Sequence, residues 1–326
     1  MSRFTSPRAQ MQAVTEAARK SPRNTQRAID SFFRDRLLCR MFSEADPSFI
    51  LKGGQGMLAR TDTARETRDI DILGMGADLR ESLTKLKRLA ALDLDDFLSF
   101  EFVSAEPIKA TEEYREGLAV KFTVFCGPQR QGALSIDLVS DPAFHGQPQR
   151  VSPKARLAVG DLPVFDYLLY PIENVIADKV CATYETHGGR PSSRVKDLVD
   201  LGVISLTETV DGSRALVQLA LELKLRKIDA PSHFCVPAEW KESYSLASYE
   251  KLVKQTAFAE QLADMSLCLK LVGNLADPLL DQSARERTWD PSSQQWLVAH
   301  TERLRCASVV AAHGNSQGSV RIQDNH

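Results

Sequence analysis

The sequence is short of the features that announce several common protein classes. Its six cysteines, Cys39, Cys126, Cys181, Cys235, Cys268 and Cys306, are scattered and never fall in CxxC spacing. That excludes a disulfide framework or a cysteine-held zinc site, and leaves free thiols buried in a reducing compartment. No apolar run approaches the roughly 18 residues of a membrane span, and residues 1–20 hold no uninterrupted apolar core, so neither a membrane anchor nor a secretory signal is expected. There is no GxSxG, HExxH or GxxxxGK[ST] sequence, and His145, His187 and His233 lack metal-ligand spacing. Charge is also nearly absent in sum: 41 basic against 43 acidic residues give a net charge of -2, which argues against a protein that simply coats nucleic acid. What remains is a cytoplasmic protein of 326 residues, long enough for one large domain or two ordinary ones.

The charge that is present is unevenly placed. From Arg3 to Arg40, nine basic residues (Arg3, Arg8, Arg19, Lys20, Arg23, Arg27, Arg34, Arg36, Arg40) face three acids (Glu16, Asp30, Asp35). Ile29, Phe32, Phe33, Leu37 and Leu38 recur near helical spacing, so residues 24–41 should form a helix with one packing face. The basic residues are then either a solvated face or a platform for RNA phosphates.

Strand and helix signals alternate next. Phe49-Ile50-Leu51 reads as a short buried strand, residues 55–60 as a short helix, and residues 69–73 as a half-buried strand with period two. Residues 77–97 read as a long amphipathic helix carrying Leu79, Leu83, Leu86, Leu89 and Leu92. Residues 100–103, 119–125 and 133–139 are strands, the last two joined as a hairpin through the turn-rich residues 127–132. Prolines punctuate a loop over residues 142–163, and the domain boundary is set there. Beyond it, residues 172–186, 196–204, 214–225, 247–255, 258–275 and 294–312 read as helices, and the tail 313–326 as disordered. The expected fold is α+β: a mixed-sheet head over residues 1–163 and a helical domain over 164–312 that completes the site.

The chemistry concentrates in two segments. Asp69 and Asp71 lie two apart on a strand, so both carboxylates point to one side and can ligate the same hard cations. Gly53 and Gly54 follow a strand and open a helix, which lets backbone N–H groups approach a phosphate closely. The plainer alternative makes the aspartates solvent-facing acids and the glycines an ordinary turn. Asp137, embedded in the apolar run 134–139, needs a partner if buried, and a shared metal would supply one; a structural acid at a strand end is the alternative, with Asp141 a weaker candidate.

Phe49-Ile50-Leu51-Lys52-Gly53-Gly54 followed by Arg68-Asp69-Ile70-Asp71-Ile72 resembles the signature of the AbiEii/AbiGii nucleotidyltransferase toxins, a family within the DNA-polymerase-beta-like minimal nucleotidyltransferases. Phe33-Arg34-Asp35-Arg36-Leu37-Leu38 resembles the helix that precedes that signature. Glu173-Asn174-Val175-Ile176-Ala177-Asp178-Lys179 and Ser193-Arg194-Val195-Lys196-Asp197-Leu198-Val199-Asp200-Leu201 resemble its second block, and Pro237-Ala238-Glu239-Trp240 with Tyr244 is also similar. Two departures stand out: the interval from Gly54 to Asp69 is longer than the commonest form, and Gln55 replaces a small or hydroxylated residue.

The resemblance implies a metal-dependent nucleotidyltransferase with magnesium, or manganese in its place, held by Asp69, Asp71 and Asp137. Lys52, Gly53, Gly54, Arg68, Arg194 and Lys196 would bind the NTP, with Lys179 and Asp197 closing over it from the second domain. It implies transfer to the 3′-end of tRNA, arrested translation and a cognate antitoxin partner from the same operon. Two alternatives stay open: the same chemistry on a protein hydroxyl or a small molecule, or a catalytically silent nucleotide-binding module.

Overall fold

The computed structural model describes residues 4–76, 78–108, 116–141, 144, 146–229 and 231–298. Two helices come first, α1 (Pro7–Lys20), capped by the Ser6 hydroxyl, and α2 (Thr25–Met41), capped by the Asn24 side chain. Then follow β1 (Phe49–Leu51), α3 (Gly53–Arg60), β2 (Ile70–Gly74), α4 (Leu79–Ala90), β3 (Leu98–Pro107), β4 (Glu116–Cys126), β5 (Gln129–Ser140), β6 (Gln149–Val151) and β7 (Tyr167–Leu169). The chain continues through α5 (Ile172–Tyr184), a small hairpin of β8 (Thr186–His187) and β9 (Arg190–Pro191), α6 (Val195–Thr207), β10 (Val210–Asp211) and α7 (Gly212–Arg226). A 3-10 turn at Ala238–Lys241 leads to α8 (Ser243–Val253), α9 (Met265–Leu280), β11 (Arg287–Asp290) and β12 (Gln295–Val298).

The fold is α+β, as the sequence predicts. Seven strands form one mixed sheet in the order β3-β4-β5-β2-β1-β7-β6, parallel between β2 and β5 and between β1 and β7. The period-two alternation of the central strands sorts their side chains between two cores. Phe49, Leu51, Ile70, Ile72, Ile136 and Leu138 face a core built with α2 and α4, whereas Ile50 and Leu73 face a second core shared with α5–α9. Asp71 alternates with Ile70 and Ile72, and Asp137 with Ile136 and Leu138, so both carboxylates leave the sheet on the side of the later helices. The sheet runs through β7, past residue 163 where the sequence sets its boundary, and Met57 and Leu58 of α3 join the second core.

Several expectations need correction. The helix expected over 77–97 ends at Ala90: Asp93 accepts from the Asp95 N–H, and Asp95 and Phe97 are left-handed. That turn delivers Asp96, fully buried, to Arg40 at 2.6 Å and Arg36 at 2.7 Å. Arg36 and Arg40 are therefore internal ion-pair partners, not part of a basic platform. The helix expected over 258–275 spans Met265–Leu280, started by the Asp264 cap and tolerating Pro278 near its end. Residues 295–298 are a strand rather than a helix, with Trp296 opposite Trp289 in the β11–β12 ladder. The rest of the helix expected over 294–312, the tail 313–326, Cys306 and His145 lie outside the described residues. The loop over 142–163 contains β6. Of the described cysteines, Cys39, Cys126, Cys181 and Cys268 are buried free thiols, while Cys235 is exposed. No helix among the described residues is long and apolar enough to cross a membrane.

Candidate active site

The site is built where β1 hands over to α3. The Lys52 N–H donates to the Asp71 carbonyl at 2.8 Å, tying the turn to β2. Gly53 is left-handed (φ 59°), and a Cβ on it would lie 1.9 Å from Asp71 Oδ2, so backbone and neighbour both demand glycine here. A Cβ on Gly54 would meet Thr67 Cβ at 2.7 Å. No side chain caps α3, which leaves its first N–H groups for a ligand. Gln55, the departure from the expected small residue, donates from Nε2 to the Thr67 carbonyl at 3.3 Å and so holds the long 61–69 loop against the helix.

Asp71 and Asp137 are register partners on adjacent parallel strands. Asp69 stands one residue before β2 and is exposed. Burial raises the Asp71 carboxyl above its ordinary pKa, Asp69 adds to the rise, and Lys196 and Lys52 oppose it. Burial likewise raises Asp137, with repulsion from Asp71 and Asp69 behind it. Three carboxylates thus share one space, and the attraction of Lys196 and Lys52 does not offset the burial of Asp71.

The opposite wall comes from α5 and α6. Lys179 Nζ donates to Asp197 Oδ1 at 2.8 Å and to Asp200 Oδ2 at 2.6 Å. Asp197 also accepts from Arg194 Nε at 2.6 Å, and Asp200 from both ends of the Arg65 fork at 2.8 and 3.0 Å. Burial pushes the Asp197 carboxyl up, but Lys179 and Arg194 outweigh it and bring it down to about 2. Burial pulls the Lys179 ammonium down, and Asp197 with Asp200 more than reverses that.

These walls enclose a cleft of about 690 Å³ in which Gly53, Gly54, Arg68, Asp69, Asp71 and Asp137 of the sheet side meet Lys179, Arg194, Lys196 and Asp197 of the helical side. A larger cavity of about 860 Å³, between the ends of α5 and α7 and the segment before α8, contains none of these residues.

The sequence pattern of the family described as "Nucleotidyl transferase AbiEii toxin, Type IV TA system" matches residues 36–292. This chain belongs to the AbiEii family. No curated protein matches it. Among solved structures, MenT4, a nucleotidyltransferase toxin of Mycobacterium tuberculosis, is similar at 13% identity and a TM-score of 0.44, over 86% of this chain and 98% of that one. JHP933 from Helicobacter pylori is similar at 16% identity and a TM-score of 0.42, over 78% of this chain and 94% of that one.

Of the candidate metal and nucleotide ligands singled out from sequence in this AbiEii chain, Lys52 and the weaker candidate Asp141 do not line the cleft: the Lys52 ammonium lies 3.5 Å from Asp178 and 4.1 Å above the Tyr170 ring. Sequence reasoning passed over Arg65, whose position four before Asp69 in the lengthened loop was the available signal; Arg23, Arg27 and Arg34, read from sequence only as part of a basic run, also line the cleft. The donors fit a hard divalent cation, being carboxylate oxygens with no thiolate or imidazole among them. Asp71 and Asp137 could hold such an ion together. Among the described residues no group of three His, Cys, Asp or Glu is close enough to enclose one, so nucleotide oxygens and water would complete its shell.

Proposed function

We propose that this AbiEii chain transfers a nucleoside monophosphate from an NTP to the 3′-end of a tRNA and releases pyrophosphate. The observation that carries the reading is the contact of Gly53 with the Asp71 carboxylate, beside Asp137 in register and across from Lys179. A glycine turn set against repelling carboxylates supports the reading, because that combination suits a nucleotide and a hard cation.

Magnesium or manganese would be held by Asp71 and Asp137, with Asp69 close by, and when bound would neutralise triphosphate charge and polarise the α-phosphorus. The Gly53–Gly54 turn orients the triphosphate. Lys179 has three N–H donors, of which Asp197 and Asp200 use two, leaving one for a phosphate oxygen. Asp137, with its raised pKa, is suited to take the proton of the attacking 3′-hydroxyl. The bond formed joins that oxygen to the α-phosphorus, and the bond broken is the α–β phosphoanhydride, with its electron pair leaving on pyrophosphate. Exposed Arg68 and Lys196 at the mouth suit an RNA backbone. Capping the acceptor end would block aminoacylation and arrest growth, and a cognate antitoxin would be the protein partner.

Incubation with total tRNA, magnesium and each α-labelled NTP in turn, beside Asp69→Ala, tests this. Label on tRNA from one NTP, absent in the variant, is expected. Label on protein or a small molecule would move the acceptor, and no label from folded protein would reject the reading.

A further inference from the structure

Of the eight cations that line the cleft, four have a counter-charge within an ion pair. Arg27 pairs with Glu66, Arg65 with Asp200, Arg194 and Lys179 with Asp197, and Lys52 nearby with Asp178. Arg23 donates to the Ala155 carbonyl. Arg68 and Lys196 are exposed, where water satisfies them.

Arg34 differs. It lines the cleft from the middle of α2, only 8% of it is exposed, and its Nε is buried with no hydrogen-bond partner. Among the described residues its guanidinium makes no hydrogen bond or ion pair. Burial lowers its pKa, against the more distant pull of Asp30, Glu66 and Asp69 and with the push of Arg23. Glu66 and Asp30 are already engaged, by Arg27 and Gln26. A buried, unsatisfied guanidinium is costly to maintain, and native structures seldom keep one without use. A planar fork of donors at a cleft wall matches the oxygens of a phosphate.

We infer that Arg34 is an anion receptor that receives a phosphate group opposite the Gly53–Asp71 turn. This deepens the transferase reading and rests on it for the identity of the ligand, because the phosphate could belong to the NTP tail or to the acceptor backbone.

The two sources separate in titrations that need no turnover. Wild type and Arg34→Met are titrated, with magnesium, against sodium tripolyphosphate and against a single-stranded oligoribonucleotide, and their melting temperatures are compared without ligand. Loss of one guanidinium–phosphate contact should weaken binding about tenfold to hundredfold. Weakened tripolyphosphate binding assigns Arg34 to the NTP tail, and weakening confined to the oligoribonucleotide assigns it to the acceptor. The ligand-free melting temperature should not fall, since an unpaired buried charge has been removed. Arg34→Lys, which keeps the charge without the fork, should recover part of the affinity, and it replaces Arg34→Met in the titrations if that variant does not fold. Equal affinities in wild type and variant, or no binding of either probe by the wild type, overturn the inference. A protein that transfers no nucleotide yet loses tripolyphosphate affinity in Arg34→Met would refute the transferase reading and leave the receptor standing.

Discussion

Replacing Gly53 with alanine tests the coupling between the turn and the carboxylates. A non-glycine residue at a φ of 59° costs roughly 1–2 kcal/mol in backbone energy. The new Cβ would lie 1.9 Å from Asp71 Oδ2, and ordinary contact begins at 3.4 Å, so the carboxylate must withdraw by about 1.5 Å (3.4 − 1.9). A misplacement of about 1 Å at a reacting centre costs on the order of 10²-fold in rate. Gly53→Ala should therefore lose about a hundredfold or more in kcat while losing only about 1–2 kcal/mol in unfolding free energy. Urea denaturation and steady-state transfer kinetics on the same preparation measure both. Gly132→Ala is the control, since a Cβ there meets nothing within 4 Å and φ is not positive. A Gly53→Ala protein with wild-type kcat would refute the claim that this contact sets the position of Asp71.

Other consequences follow from the ion pairs and the acids. Asp96→Ala leaves Arg36 and Arg40 buried without their counter-charge, and should cost about 3–5 kcal/mol by urea denaturation. Arg65→Ala removes the bidentate tie between the loop bearing Asp69 and α6, while Asp200 keeps Lys179. It should cost about 1.5–3 kcal/mol in stability, together with a lower kcat. An unchanged kcat would show that the tie does not position the loop. The pH dependence should separate activity from folding. Asp71 and Asp137 have raised pKa values in the metal-free protein, so on acidification protons compete with the divalent cation for both carboxylates, and transfer at limiting magnesium should fail first. Asp197 is depressed to about 2, so its contribution to stability is complete above its unfolded value of about 3.9 and fades only as pH falls through about 2. Transfer rates and near-ultraviolet circular dichroism followed from about pH 7 to about pH 4 should therefore show activity lost before tertiary structure; simultaneous loss would contradict the assignment.

What could be read from sequence was local. The alternation in residues 69–73 and 133–139 was enough to set Asp71 and Asp137 apart from the apolar faces of their own strands, because side-chain direction in a strand needs no knowledge of neighbours, whereas their register across β2 and β5 came only with the fold. The Gly53–Gly54 turn was legible for the same reason. Partners distant in sequence were not: Arg65 finds Asp200, 135 residues away, and Arg40 finds Asp96, 56 away. The run of basic residues in α2 therefore looked uniform, although Arg36 and Arg40 turn inward to Asp96 and Arg34 to the cleft. Leucine periodicity carried the α4 expectation past Ala90 because the Asp93–Asp95 turn overrides helical propensity. Residues 295–298 looked helical because the tryptophan pair that makes them a strand lies across a turn.

The central claim is nucleotidyl transfer in the cleft between the Gly53–Asp71 turn and Lys179, and an NTP labelled in parallel at the α- and γ-phosphates tests it most directly. The account predicts that α-label enters the acceptor, that γ-label leaves as pyrophosphate, and that Asp71→Asn abolishes both. Entry of γ-label into the acceptor, or transfer that survives Asp71→Asn, would contradict it.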